Sequence, residues 1–389
     1  MAFLAGQACA CGGPLGVSDK RPPARDCPAL LPEAGGQSPG AQLARSLGRS
    51  DHFLIGAGSD LVGVDGDALA WGLSAPVDVH YLYLVGLPDT DAGWPDWNPD
   101  GTYIDRHMVV AQEQCALPMF TLYAMAVEGE NNMEVLKDEV YMERWWDGLE
   151  LALERMAAVG GPAILHVEPD FWGFAQKATP TGKPEDLPVL VGSVVSACED
   201  LGDSLAAMGQ CIYRRGESLA PEVRIALHAS RWAAPTGAET GAFLHGIAGT
   251  KAPLLVVETL DRDAGCFEVG ATDCTRTDGP WYWDETNESS PSFAEHLAWA
   301  TELHVQTGKP LLWWQMPLGV ASDEPGGEPH AYRDNRVRYL FAHPEEFVAA
   351  GGIGAVFGPG APNQTTLATD GGQFEAAWTT YRESPAPLP

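Results

Sequence analysis

Eight short apolar runs constrain what this chain can fold into. Residues 52–56, 79–85, 118–123, 163–167, 223–227, 254–257, 311–314 and 353–357 are rich in branched and aromatic side chains, and polar clusters and helical segments lie between them. A nearly continuous apolar run marks a strand buried on both faces, as in a parallel sheet covered by helices. Strand, loop and helix recurring in that order is the pattern of parallel βα units, and eight units close an α/β fold of the (β/α)8 TIM-barrel type. The helices are legible too. Met142, Trp145, Trp146, Leu149, Leu153 and Met156 recur every three or four residues, and Ser292 with Glu295 forms a capping box. Residues 61–76 are short and Gly-rich rather than helical, which leaves an open doubly wound sheet as the rival architecture. Against it, no G-x-G-x-x-G follows the first run and no G-x-x-x-x-G-K-[ST] occurs anywhere.

At 389 residues the chain can bury one large core, and barrels with long loops reach this size as one domain. We expect residues 1–50 to be a signal-like leader and flexible linker, and residues 51–389 to be the barrel. Residues 12–50 are rich in Pro, Gly, Ala and Ser without periodicity. The opening MAFLAGQACACGG resembles the end of a bacterial lipoprotein signal, although it lacks a basic n-region. No apolar run approaches the roughly 20 residues that span a bilayer.

Of eight cysteines, Cys9, Cys11 and Cys27 fall in the leader, and Cys115, Cys198, Cys211, Cys266 and Cys274 in the body. Their spacing suggests disulfides Cys198–Cys211, around a helix, and Cys266–Cys274, across a polar loop; five buried free thiols are the alternative. Disulfides fit export, so we expect an extracellular or cell-envelope protein, with anchoring by a lipid on an N-terminal Cys as a further expectation.

A net charge of −30 excludes a nucleic-acid partner, because phosphate binding needs clustered Lys and Arg. No C-x-x-C, H-E-x-x-H or His-x-His at the first strand is present, so no metal or other cofactor is expected. A looser Mg²⁺ or Ca²⁺ set of Glu168, Asp170, His228 and Glu258 is the alternative. Gly36-Gln-Ser-Pro-Gly40 satisfies G-x-S-x-G but has no preceding strand to build a nucleophile elbow.

Several runs end in one polar residue: Glu168 after AILHV, His228 after VRIAL, Glu258 after LLVV and Gln315 after LLWW. In a barrel these positions ring the mouth, where catalytic groups sit. Further acids, aromatics and an arginine lie close by in sequence: Tyr123, Asp170, Trp172, Arg231, Trp232, Asp261, Asp263, Trp283, Asp284, Glu285 and Trp314, with Trp97 after the second run. Sugars present flat C–H faces and rings of hydroxyls, so a glycan cleft wants aromatic platforms beside carboxylates and Arg. Some of the 13 tryptophans must instead pack the helix shell, Trp145 and Trp146 among them.

Val167-Glu168-Pro169-Asp170 and Gly308-Lys309-Pro310 leading to Gln315 resemble the (β/α)8 glycoside hydrolases that cleave β-linked glycans with retention. In that clan the fourth strand ends in Asn-Glu-Pro, with Glu as acid/base, and the seventh ends in a nucleophilic Glu. The resemblance implies Glu168 as acid/base; here Val167 replaces the Asn and Gln315 the nucleophile. Glu258, ending the sixth run, is the expected second carboxylate. A strand-four and strand-six pair, there both Asp, is used by the α-galactosidase-like clan, and EPD and DRD also resemble segments of inverting cellulases in the reverse order. The expected function is glycoside hydrolysis of an oligo- or polysaccharide by paired carboxylates. A non-catalytic carbohydrate-binding barrel and a metal-assisted lyase or hydrolase are the alternatives. Substrate, anomer and oligomeric state stay open.

Overall fold

In the computed structural model eight parallel strands close on themselves: β1 (Leu54–Gly58), β2 (Val79–Val85), β3 (Leu117–Tyr123), β4 (Ala163–Val167), β5 (Val223–Ala229), β6 (Leu254–Glu258), β7 (Leu311–Met316) and β8 (Gly352–Phe357). Neighbours follow chain order and β8 pairs with β1. The open-sheet rival is thereby ruled out. The structure describes residues 21–58, 69–90, 93–126, 130–249, 251–259, 282–321, 332–333, 336–358 and 365–389. The leader at residues 1–20, the expected Cys266–Cys274 bond, and Asp261 and Asp263 lie outside the described residues.

The helix shell follows from the sequence pattern. Helix α1 covers Pro39–Ser46, α2 Trp94–Trp97, α3 Thr102–Glu113 and α4 Glu139–Val159. Asp138 caps α4 by accepting the Tyr141 N–H, and Met142, Trp145, Trp146, Leu149, Leu153 and Met156 are all buried. Next come α5 (Phe171–Lys177), α6 (Leu205–Leu219), α7 (Gly237–Ala248) and α8 (Phe293–Thr307), the last opened by the Ser292/Glu295 capping box. Helices α9 (Arg336–Ala342), α10 (Pro344–Ala349) and α11 (Gln373–Tyr381) follow. Among the described residues no helix is long and apolar enough to cross a membrane.

Residues 21–50 correct the expectation of a flexible linker. Cys27 bonds to Cys115, and Ala41, Leu43, Ala44 and Leu47 are buried. Asp51, fully buried, accepts the backbone N–H groups of Ala34, Gly35 and Gly36 and the Arg45 guanidinium. The C-terminal tail completes the closure: Ser38 N–H donates to Pro389 O, Phe53 N–H to Ala386 O and Leu388 N–H to Asp51 O. Pro- and Gly-rich composition misled here because a disulfide and one buried carboxylate pin a segment that has little periodicity of its own. Cys198–Cys211 is formed as expected.

Strand β7 shows which way side chains face. Trp313 points outward, packs against Phe53 and Phe347, and donates its indole N–H to His296 Nε2 at 2.8 Å. Trp314 points inward, with its ring against Tyr81 and Tyr83 of β2, His166 of β4 and His228 of β5. A β7 side chain that reaches three other strands must cross the interior, so Trp314 fills the barrel rather than lining its rim.

Candidate active site at the barrel mouth

A polar chain crosses the upper interior beneath Trp314. Thr121 Oγ1 lies 3.2 Å from His166 Nδ1, His166 Nε2 lies 3.1 Å from His228 Nδ1, and His228 Nε2 lies 3.8 Å from Glu258 Oε2. The four residues stand on β3, β4, β5 and β6 in turn. Burial, and then the neighbouring His228, hold His166 well below the usual imidazole range, so it is neutral. Two proton arrangements satisfy the chain. Either the Thr121 hydroxyl donates to His166 Nδ1 and His166 Nε2–H donates to His228 Nδ1, which turns His228 Nε2–H toward Glu258, or both bonds run the other way. At 3.8 Å the His228–Glu258 contact is electrostatic rather than a hydrogen bond, and the Glu258 carboxyl sits 7% exposed at the end of β6.

Glu168 and Gln315 share an unusual backbone. Both are left-handed, with φ of 49° and 51°, Glu168 directly after β4 and Gln315 one residue before the end of β7. Such a conformation costs a side-chain-bearing residue roughly 1–3 kcal/mol and clusters at functional sites. Glu168 is nonetheless sealed. It has no exposed surface, and its carboxyl accepts the Trp145 indole N–H of α4 at 2.7 Å and the N–H groups of Ala124 and Met125 in the turn after β3. Burial raises it to about 8 against those three donors, with a further push from Glu130.

A second group of acids lies where β3 and β4 end. The Tyr123 hydroxyl donates to Asp170 Oδ2 at 2.8 Å, and Glu130 lies against the same hydroxyl. Burial raises the Glu130 carboxyl and the Asp170 charge adds to it. Asp170 is half-buried.

The remaining expected site residues divide. Trp97 is 59% exposed, edge-on to Tyr103, and presents an open aromatic face. Trp232 is half-buried against Phe174, with the Lys177 ammonium over its ring, and Arg231 reaches over Trp299. Trp172 is buried with its N–H on Val167 O, so it is wall rather than platform. Trp283 is also buried, under the Arg336 guanidinium. Asp284 accepts from Thr286, Glu288 and Ser289 and is held below the usual carboxylate range chiefly by the Thr286 hydroxyl; it organises its own loop. Glu285 is paired in bidentate fashion with Arg338. Gln315 is 3% exposed.

Sequence reading missed Thr121, His166 and Glu130. The signal for His166 was available: it stands two residues before Glu168 on β4, at the inward phase of a period of two. Nothing in the run LPMFTLY separates Thr121 from a filler residue.

No family model matches the chain, and no curated protein matches it in sequence. Among solved structures, one similar fold is a GH5 xyloglucan-specific β-1,4-glucanase from a ruminal metagenomic library, with TM-score 0.50 and 11% identity over 80% of this chain and 85% of that one. Another is a hyperthermophilic endo-β-1,4-glucanase, with TM-score 0.51 and 9% identity over 87% of this chain and 100% of that one. The chain has the fold of these glycoside hydrolases. The expected TIM barrel and its likeness to the glycoside-hydrolase barrels are thus borne out. At such identity the shared glycoside-hydrolase fold transfers no residue roles, so chemistry has to be argued from the groups at the mouth.

Proposed function

We propose that the protein is a glycoside hydrolase acting on an oligo- or polysaccharide at the open end of its barrel. The observation that carries this reading is the buried chain Thr121–His166–His228–Glu258, polar where a barrel interior ordinarily holds Val, Ile and Leu. A buried imidazole pair holds a ring nitrogen toward the Glu258 carboxylate. Glu258 is then the group that attacks the anomeric carbon or activates water.

The proton donor comes from the acids between β3 and β4. Glu130, pushed upward by burial and by the Asp170 charge, lies against the Tyr123 hydroxyl that donates to Asp170, and an upward shift is what a general acid needs. Glu168 in this reading positions the 124–126 turn that leads to Glu130. The buried Glu168 carboxyl is the alternative donor implied by the resemblance. Trp97 and Trp232 supply sugar platforms. Two disulfides support an extracellular or cell-envelope location; lipid anchoring through an N-terminal Cys would be seen as fatty-acid labelling lost on Cys9→Ser with Cys11→Ser.

A panel of β-glucans, xyloglucan and other glycans, assayed by reducing ends, tests the assignment. Glu258→Gln and Asp170→Asn should each lower kcat by at least about 10²-fold with the fold intact. Near-full turnover by Glu258→Gln refutes its role; loss confined to Glu168→Gln returns the acid to Glu168. A second reading, a non-catalytic carbohydrate-binding barrel, is favoured by Gln315, an amide where the resembling hydrolases carry a nucleophile. Saturable glycan binding without cleavage would establish it. Activity abolished by a chelator would instead favour the metal-assisted alternative.

A further inference from the structure

The closed end of the barrel, opposite the mouth, contains a cavity of about 370 Å³, within the range of small-molecule sites. Its floor is the N-terminal edge of the strands, from Leu54, Asp78 and Leu117, and residues 27–31 form its roof, held down by the Cys27–Cys115 bond. Helix α11 supplies one side through Trp378 and Arg382.

The charges around this cavity do not balance. Arg49, His52 and Arg382 all line it and all act on the one carboxylate there, Asp78. Asp78 Oδ2 is already occupied by the Ile55 N–H at 2.9 Å. Arg49 donates one guanidinium N–H to Cys115 O at 2.8 Å, but its Nε is buried with no hydrogen-bond partner, as is His52 Nδ1. Neither arginine makes an ion pair within 4.0 Å among the described residues. A guanidinium whose Nε is buried without a partner or a close counter-charge is costly and calls for an anion. Two arginines against one aspartate leave a positive charge in a chain whose net charge is −30. The remaining wall is largely apolar, including Leu47, Phe53 and Trp378.

We propose that this cavity is a second binding site, for a small monocarboxylate with an apolar body, whose head group pairs with Arg49 and Arg382 while its chain lies against Phe53 and Trp378. One negative charge completes the balance, and the apolar wall takes the rest of the ligand. The site is separate from the mouth and does not depend on the glycoside-hydrolase reading.

Calorimetric titration of the full chain with hexanoate tests this, with hexan-1-ol and sulfate as parallel probes. Hexanoate should bind one per chain with Kd of about 1 mM or tighter. Arg49→Gln and Arg382→Gln should each weaken it by about tenfold, the loss of one charge-assisted contact. Arg382→Gln, at the end of α11, keeps the test valid if Arg49→Gln fails to fold. No saturation below about 20 mM, or unchanged binding by a folded variant, overturns the site. Equal affinity for hexan-1-ol means an apolar void only, and equal affinity for sulfate means the carboxylate class is wrong; either result overturns the proposal.

Discussion

The buried Glu168 carboxyl makes stability depend on pH in a way that one substitution isolates. An unfolded chain ionises this group near its ordinary value, about 4.5, whereas burial in the folded protein raises it to about 8. Between those values the folded state holds one proton more than the unfolded state. Stability therefore falls as pH rises, by about 1.4 kcal/mol per unit, and levels off above pH 8. The stabilisation is complete below pH 4.5, and across the window the loss is about 5 kcal/mol. No allowance for solvent screening is needed, because the group has no exposed surface. Glu168→Gln cannot ionise and lacks this slope. Its amide also faces the N–H donors of Trp145, Ala124 and Met125, a mismatch that offsets the curve by a constant without tilting it. Urea unfolding of both proteins at each unit from pH 5 to 9 gives the difference curve, in which all other titrating groups cancel. A flat difference would show that the three donors outweigh burial and that Glu168 is ionised when folded, removing it as a store for a proton.

Three further outcomes follow from the structure. Cys27→Ser with Cys115→Ser opens an 88-residue loop and should cost about 2–4 kcal/mol, read by thermal unfolding, with proteolysis then starting within residues 21–50. Asp51→Ala strands three backbone N–H groups and the Arg45 guanidinium, so it should destabilise by about 3 kcal/mol or more in urea; a loss under about 1 would mean that the tail and disulfide hold the segment alone. Trp97→Ala should weaken glycan binding by about tenfold in isotherms while changing stability by less than about 0.5 kcal/mol, since its face is open to solvent.

The barrel was legible because strands buried on both faces leave apolar runs that nothing else in the chain imitates. Its first strand was read two residues early: the run was ended at Gly56, yet the strand continues to Gly58, and a Cβ at these two glycines would meet the Val79 and Tyr81 backbone of β2. The mouth was legible as a set of strand ends but not as a set of directions. Trp313 and Trp314 differ by one residue and face opposite sides of the wall, and the left-handed turn at Glu168 sends its carboxyl to α4. No residue type marks such a turn when the side chain is not Gly or Asn. Asp284 shows the opposite failure. Its acids and tryptophans read as a sugar cleft, but an Asp followed by Thr286 and Ser289 is also the composition of a self-capped loop, and that is what forms.

The tail that pairs with Asp51 and Phe53 sets how this barrel can be joined to anything else. Residues 36–38 and 386–389 are stitched together on the side away from the mouth, so the C-terminal end of the chain leaves the body beside the segment that leads into β1. A domain fused after Pro389 emerges on that side and stays clear of the barrel mouth.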